Sequence, residues 1–100
     1  MEKRKAHYPL AAVRTLVQQG RVKFTKTAIE GGAAMGCGVA EILEVVSRLT
    51  ARNLYKSMTS HADRKVWHDV YHADTARGVV YLKLSVIEEL LIISFKEKGE

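Results

Sequence analysis

The stretch Val79-Val80-Tyr81-Leu82-Lys83-Leu84-Ser85-Val86-Ile87 decides the fold class. Val80, Leu82, Leu84 and Val86 fall on one side of a period of two, and Tyr81, Lys83 and Ser85 fall on the other. That is the pattern of a strand with one face buried. Ile87-Glu88-Glu89-Leu90 then reads as a hairpin turn, although it lacks the favoured Asn-Gly or Asp-Gly. Beyond it, Leu91, Ile93 and Phe95 alternate against Ile92, Ser94 and Lys96. Two earlier segments, around 56–60 and 65–71, read as further strands.

Working back towards the N-terminus, the period changes before Arg52. Leu10, Val13, Leu16 and Val17 recur at helical spacing, with Arg14, Gln18 and Gln19 opposite. Pro9 suits the first turn, where its missing N–H would be unpaired anyway. Gly20 suits the residue just past the helix end. Thr25 or Thr27 is placed to cap a second helix through Ala28, Ile29, Ala33 and Met35. Gly31-Gly32 weakens that helix by about 1 kcal/mol per glycine relative to alanine. Gly36-Cys37-Gly38 breaks the chain, and a third helix carries Val39, Ile42, Leu43, Val46 and Leu49 on one stripe. Helices first and antiparallel strands second predict an α+β domain: a twisted, mainly antiparallel sheet in the C-terminal half, with the helices packed on one face. The other face stays partly open and carries Tyr81 and Lys83.

The 100 residues are enough for one domain, 1–100, and 47% of them are apolar, enough for a core. Cys37 is the only cysteine, so no internal disulfide forms. No apolar run approaches the ~18 residues of a membrane span, and the charged start Glu2-Lys3-Arg4-Lys5 has no apolar stretch behind it to make a signal peptide. A soluble, cytoplasmic protein is the expectation. Net charge is +5. From Lys3 to Lys26 the chain holds Lys3, Arg4, Lys5, Arg14, Arg21, Lys23 and Lys26 and no acid. Such an excess favours an anionic partner through steering and counterion release. Many small basic proteins nevertheless touch no nucleic acid.

The strand region concentrates side chains that can cut RNA without a metal. In that reaction the ribose 2′-hydroxyl attacks the adjacent phosphate and the 5′-oxygen leaves. It needs a base, an acid, and cations on the phosphorane. Histidine is the natural acid or base, its ordinary pKa being ~6.5. Lysine supplies charge stabilisation. The inferred sheet offers Lys56, His68, Tyr81, Lys83, Lys96 and Tyr55. Each has a plainer reading. Lys56 and Lys96 resemble ordinary solvated lysines, Tyr81 suits a strand in any case, and His68 alternates with Val66 and Val70 as a packed core histidine does. His61, His68 and His72 lie close in sequence, but a structural zinc site usually adds cysteines and Cys37 is distant. No HExxH, paired CxxC, P-loop or GxGxxG occurs, and no cofactor is called for.

Tyr55-Lys56-Ser57-Met58-Thr59, Val66-Trp67-His68-Asp69-Val70-Tyr71 and Val86-Ile87-Glu88-Glu89-Leu90-Leu91-Ile92-Ile93-Ser94-Phe95-Lys96-Glu97-Lys98 resemble, nearly end to end, the MqsR family of messenger-RNA-cleaving toxins from bacterial toxin–antitoxin pairs. The resemblance implies a RelE-like α+β fold. It implies a sequence-specific, ribosome-independent endoribonuclease that cuts mRNA at GCU-type sites without a cofactor. It carries the family's active-site lysines onto Lys56 and Lys96, and its tyrosine onto Tyr81. The fourth family position is usually glutamine; here it is His68. Either histidine joins the acid–base set, or it replaces glutamine as a hydrogen-bond donor to substrate; the second reading is preferred, because the rest of the motif needs no histidine. Tyr55, Met58, Trp67 and Lys83 are the expected RNA contacts, with Trp67 equally readable as core. The implied partner is an MqsA-like antitoxin, a zinc-containing DNA-binding protein, and the free toxin is expected to be a monomer. The rival reading is a non-catalytic basic module that binds nucleic acid or a partner and acts by occupancy.

Overall fold

The computed structural model describes residues 1–99. A two-residue strand, β1 (Glu2–Lys3), precedes helix α1 (Leu10–Gln18). Strand β2 (Val22–Phe24) and helices α2 (Lys26–Ala34) and α3 (Val39–Ser47) follow. A single 3-10 turn (Ala51–Asn53) leads into β3 (Leu54–Thr59), β4 (Trp67–Thr75), β5 (Gly78–Ile87) and β6 (Glu89–Glu97). The strands form one sheet in the order β1-β3-β4-β5-β6-β2. Every pairing is antiparallel except β2 with β6. The expected α+β class is borne out, with helices N-terminal and a mainly antiparallel sheet C-terminal.

The helices form where local chemistry stops and starts them. The carbonyl of Pro9 accepts the first helical bonds, from the N–H groups of Ala12 and Val13. Gly20, at φ 70°, ends α1 in the left-handed region that glycine enters without a Cβ penalty. Thr25 is the cap of α2: its hydroxyl accepts from the Ala28 N–H at 3.0 Å. The glycines that weaken α2 have a packing reason. A Cβ on Gly31 would run into the carbonyl oxygen of Phe95, and one on Gly32 into the Ile42 side chain. They let α2 lie directly on β6 and α3.

One core joins the layers. Val13, Ala28, Ile42 and Val46 from the helices pack with Tyr71, Ala73, Val80, Leu82, Leu84, Leu90, Ile92 and Phe95 from the sheet. The expected stripe of α3 holds at Ile42, Val46 and Leu49, but Val39 is exposed at the first turn. On β5 the alternation holds through Leu84, with the expected turn closing on Glu88 at φ 65°. Arg21 donates to the Glu88 carbonyl at 2.8 Å and steadies that unusual backbone. Ser85 departs from the expected open face. It is buried where β5 parts from β4, its hydroxyl donating to the Trp67 carbonyl at 2.8 Å and meeting the Tyr8 hydroxyl at 3.2 Å.

The simple alternation expected for β6 is overturned by a bulge. Lys83 pairs with Ser94 and Leu84 with Ile92, so Ile93 is an extra residue. Ile92 and Phe95 both enter the core, and Lys96 emerges on the opposite face beside Tyr81. Thr25 fixes the bulge from outside the sheet: its N–H donates to the Ile92 carbonyl at 3.1 Å and its hydroxyl to the Ile93 carbonyl at 2.7 Å. A second bulge lies in β3, where Leu54 pairs with Tyr71 but Lys56 pairs with Val70. Leu54 packs on the core, while Lys56, two residues later, faces away from it.

Candidate active site

Alternation along β4 divides the block Trp67-His68-Asp69-Val70-Tyr71-His72 into two functions. Trp67, Asp69 and Tyr71 point to the helix side. Asp69 is fully buried there and accepts from the N–H of His7 at 3.0 Å and the N–H of Tyr8 at 2.9 Å. A carboxylate bonded by backbone donors is a strong anchor, and it ties the N-terminal segment down. The Trp67 ring stacks on His7 at 5.0 Å, with the Lys3 ammonium 4.3 Å from its centre. Trp67 therefore lies across the sheet from the other candidate residues, occupied by the N-terminal segment.

His68, Val70 and His72 point to the open face. The ladders place Met58 opposite His68. They place Lys56 and Lys83 on either side of Val70. Tyr81 lies between His72 on one strand and Lys96 on the other. Val70 is fully buried yet outside the helix-side core, between the neighbouring Lys56 and Lys83.

The side chains make a continuous row across four strands. The Lys56 Nζ is 5.4 Å from the Tyr55 ring centre. Tyr55 stacks on His72 at 4.4 Å and 18°. His72 meets Tyr81 at 6.0 Å and 41°. The Lys96 Nζ is 5.2 Å from the Tyr81 ring centre. Cations thus close both ends of an aromatic–imidazole–aromatic stack. The structure brings Lys56, Tyr55, Tyr81 and Lys96 together as expected, with Lys83 beside them. His68 and Met58 share the face but lie farther along it. His68 is four residues from His72 on one strand, about 13 Å away at ~3.3 Å per residue. The residue sequence reasoning missed is His72, considered there only as part of a metal trio. Its signal was its parity with His68.

The electrostatics follow from these neighbours. The Glu2 carboxylate, bonded to Lys56 Nζ at 2.8 Å, raises the lysine above its ordinary range and is itself lowered. Burial, then the Lys83 cation, pushes His68 below its usual range. Burial, then the Lys98 cation, does the same to His72. Lys83 is lowered by burial and then by Lys96. The face thus sets lysines around two imidazoles that are both biased towards the neutral form. It is an open surface. Two concavities among the described residues, of about 320 and 520 Å³, lie elsewhere, one between α3 and the β4–β5 turn, the other beneath the N-terminal segment. A flat cationic and aromatic face suits an extended anionic polymer better than an enclosed small molecule.

Comparison with known proteins agrees with this geometry. Residues 5–97 match the family model described as motility quorum-sensing regulator, toxin of MqsA. The chain belongs to the MqsR toxin family. It is 41% identical over 98 residues to the mRNA interferase toxin MqsR of Escherichia coli (strain K12), covering 98% of this chain and all of that protein. The resemblance read from the strand motifs is thus borne out over nearly the whole chain. The MqsR motif blocks fall on the open-face strands and on the anchor for the N-terminal segment. Among the described residues, no helix is long and apolar enough to cross a membrane.

Proposed function

We propose that this MqsR-family chain is an mRNA interferase: an endoribonuclease toxin that cuts single-stranded mRNA by metal-free attack of the 2′-hydroxyl, independently of the ribosome. The observation that carries the reading is the row from Lys56 to Lys96 on the open face. Lys56 and Lys96 hold the scissile phosphate and neutralise the charge that builds on the phosphorane, the kind of stabilisation that usually dominates such catalysis. Tyr81, between them, positions the phosphate and serves in proton transfer. His68, the residue in the family's usual glutamine position, donates a hydrogen bond to substrate farther along the strand. Tyr55, Met58 and Lys83 contact the RNA, and the aromatic ring offers a stacking platform for an unpaired base. Trp67 serves the fold by holding the N-terminal segment. GCU-type sites are the expected preference, by likeness to the family.

The test is cleavage of a defined single-stranded RNA in EDTA, with the product ends identified. Cleavage to 2′,3′-cyclic phosphate ends that is lost in a folded Lys56→Ala protein supports the reading. A folded wild type that binds the RNA without cutting it points to a binding module instead. The family description, toxin of MqsA, supports an MqsA-type partner; we take it to be a neutralising antitoxin that acts in the cytoplasm. We place its contact away from the row. Quadruple substitution of Lys56, His68, Tyr81 and Lys96 by alanine is then expected to leave antitoxin affinity unchanged by titration calorimetry, and a large loss would put the antitoxin on the active face.

A further inference from the structure

We infer that His72, not His68, is the imidazole that takes the 2′-hydroxyl proton in this chain, an inference that rests on the ribonuclease reading above. Position is the first argument. His72 stands at the middle of the row, stacked on Tyr55 at 4.4 Å and facing Tyr81, its direct partner in the β4–β5 ladder, at 6.0 Å. A phosphate held between Lys56 and Lys96 lies over this ring. His68 stands opposite Met58, about 13 Å along the strand. That distance suits a neighbouring nucleotide and is too far for one proton transfer.

Chemistry is the second argument. The other members of the row are two lysines and two tyrosines, side-chain types that in model peptides ionise only at about pH 10. Only His72 exchanges protons near neutrality. The charged and titratable groups around it are Tyr55 and Lys56 from β3, Tyr81 and Lys83 from β5, Lys96 and Lys98 from the β6 end, and His68 and Asp74 on its own strand. Four lysines outnumber the two carboxylates, Asp74 and the Glu2 that is bonded to Lys56 from β1. Burial and Lys98 favour the neutral ring, the form that accepts a proton. Stacking on Tyr55 holds the ring plane, so the accepting nitrogen is aimed before substrate arrives.

The step balances without a co-reactant. His72 accepts the 2′-proton as the 2′-oxygen bonds to phosphorus. The bond from phosphorus to the 5′-oxygen breaks, and that oxygen takes the proton of the Tyr81 hydroxyl. The imidazolium returns its proton to the tyrosinate. The products are a 2′,3′-cyclic phosphate and a 5′-hydroxyl.

The experiment is single-turnover cleavage of one defined RNA in EDTA between roughly pH 5 and pH 9. Wild type is compared with His72→Phe, His72→Gln, His68→Gln and Lys56→Ala. His72→Phe keeps a ring for Tyr55 to stack on and removes only the proton chemistry. Both His72 variants are expected to bind RNA normally and to lose about 100-fold in rate together with the rise in rate from acid to neutral pH. His68→Gln is expected to keep that rise. An unchanged pH profile in His72→Phe, or its loss in His68→Gln, overturns the assignment. A folded Lys56→Ala that still cleaves, or a wild type that does not, overturns the ribonuclease reading and this inference with it. Lys56→Ala inactive with His72→Phe unaffected overturns the inference alone. Should the His72 variants fail to fold, the His72 ring titration in wild type, followed by NMR, must share its midpoint with the kinetic profile, and a mismatch overturns the assignment.

Discussion

Lys56 donates a 2.8 Å hydrogen bond to the carboxylate of Glu2, which sits on edge strand β1 opposite Met58. The N-terminus thereby reaches the Lys56 end of the row. An ammonium has three donors, so Lys56 can hold Glu2 and a phosphate together. Glu2 aims the lysine but also repels the phosphate. Replacing Glu2 by glutamine is expected to tighten RNA binding about threefold at low salt and to slow single-turnover cleavage about tenfold, as a charged group loses its positioning partner. Binding and rate rising together would instead make Glu2 a plug over the site.

Acid weakens the fold through two histidines. Burial lowers both His68 and His72 in the folded protein. Below the unfolded value of ~6.5 the unfolded chain binds protons that the folded one refuses, so stability falls with pH until the folded values are passed. Thermal melts at pH 7 and pH 5 are expected to differ more in wild type than in a His68→Gln, His72→Gln double variant. Equal losses in the two proteins would place the acid sensitivity elsewhere.

Alkali acts on the other face. Burial, with Asp69 nearby, pushes the Tyr71 hydroxyl up to about 12. The unfolded chain ionises first, so stability is intact below pH ~10 and is lost as pH rises towards 12. This hydroxyl has no hydrogen-bond partner among the described residues. Tyr71→Phe is expected to be no less stable than wild type at pH 7, because an unpaired buried hydroxyl contributes little. It is also expected to lose this tyrosine's part of the alkaline decline. Denaturant titrations at pH 7 and pH 11 measure both effects.

Asp69 fastens the N-terminal segment from beneath the sheet. Asp69→Ala leaves the N–H groups of His7 and Tyr8 without their acceptor. A cost of about 3 kcal/mol is expected, in line with lost bonds to a buried charge. Hydrogen exchange of those two amides should rise with it. Protected amides in a stable variant would show that the segment is held by its other contacts.

Much of this was legible in the residues. Val80, Leu82 and Leu84 are regular enough to reveal a half-buried strand, and Tyr81 and Lys83 follow onto its open face. The helices announced themselves through Pro9, Gly20 and Thr25. The motif blocks identified the family. Strands β1 and β2, two and three residues long, are too short for any period to register. The bulges at Tyr55 and Ile93 were hidden because a bulge answers to its tertiary partner: Thr25, far away in sequence, holds the one in β6. His72 escaped notice because what it faces, Tyr81 through the unbroken β4–β5 ladder and Tyr55 through the β3 bulge, is decided by cross-strand pairing and not by its own segment.

Leu54 and Lys56 have the same parity, as do Ile92 and Lys96, yet in each pair the first residue enters the core and the second leaves it. The spare residue, Tyr55 in β3 and Ile93 in β6, absorbs the change of parity. Replacing Ile93 by another apolar residue leaves the count intact. Removing it restores an unbroken pleat in which Ile92 still meets Leu84, Ser94 still meets Lys83 and Phe95 still meets Leu82, so Phe95 stays in the core and Lys96 on the open face. The danger to this face is capture of the extra residue by the ladder. With Ile93 drawn into regular pairing, every side chain beyond it would turn over, exposing Phe95 and burying the Lys96 ammonium, and the grip of Thr25 on the bulge is what stands against that slip.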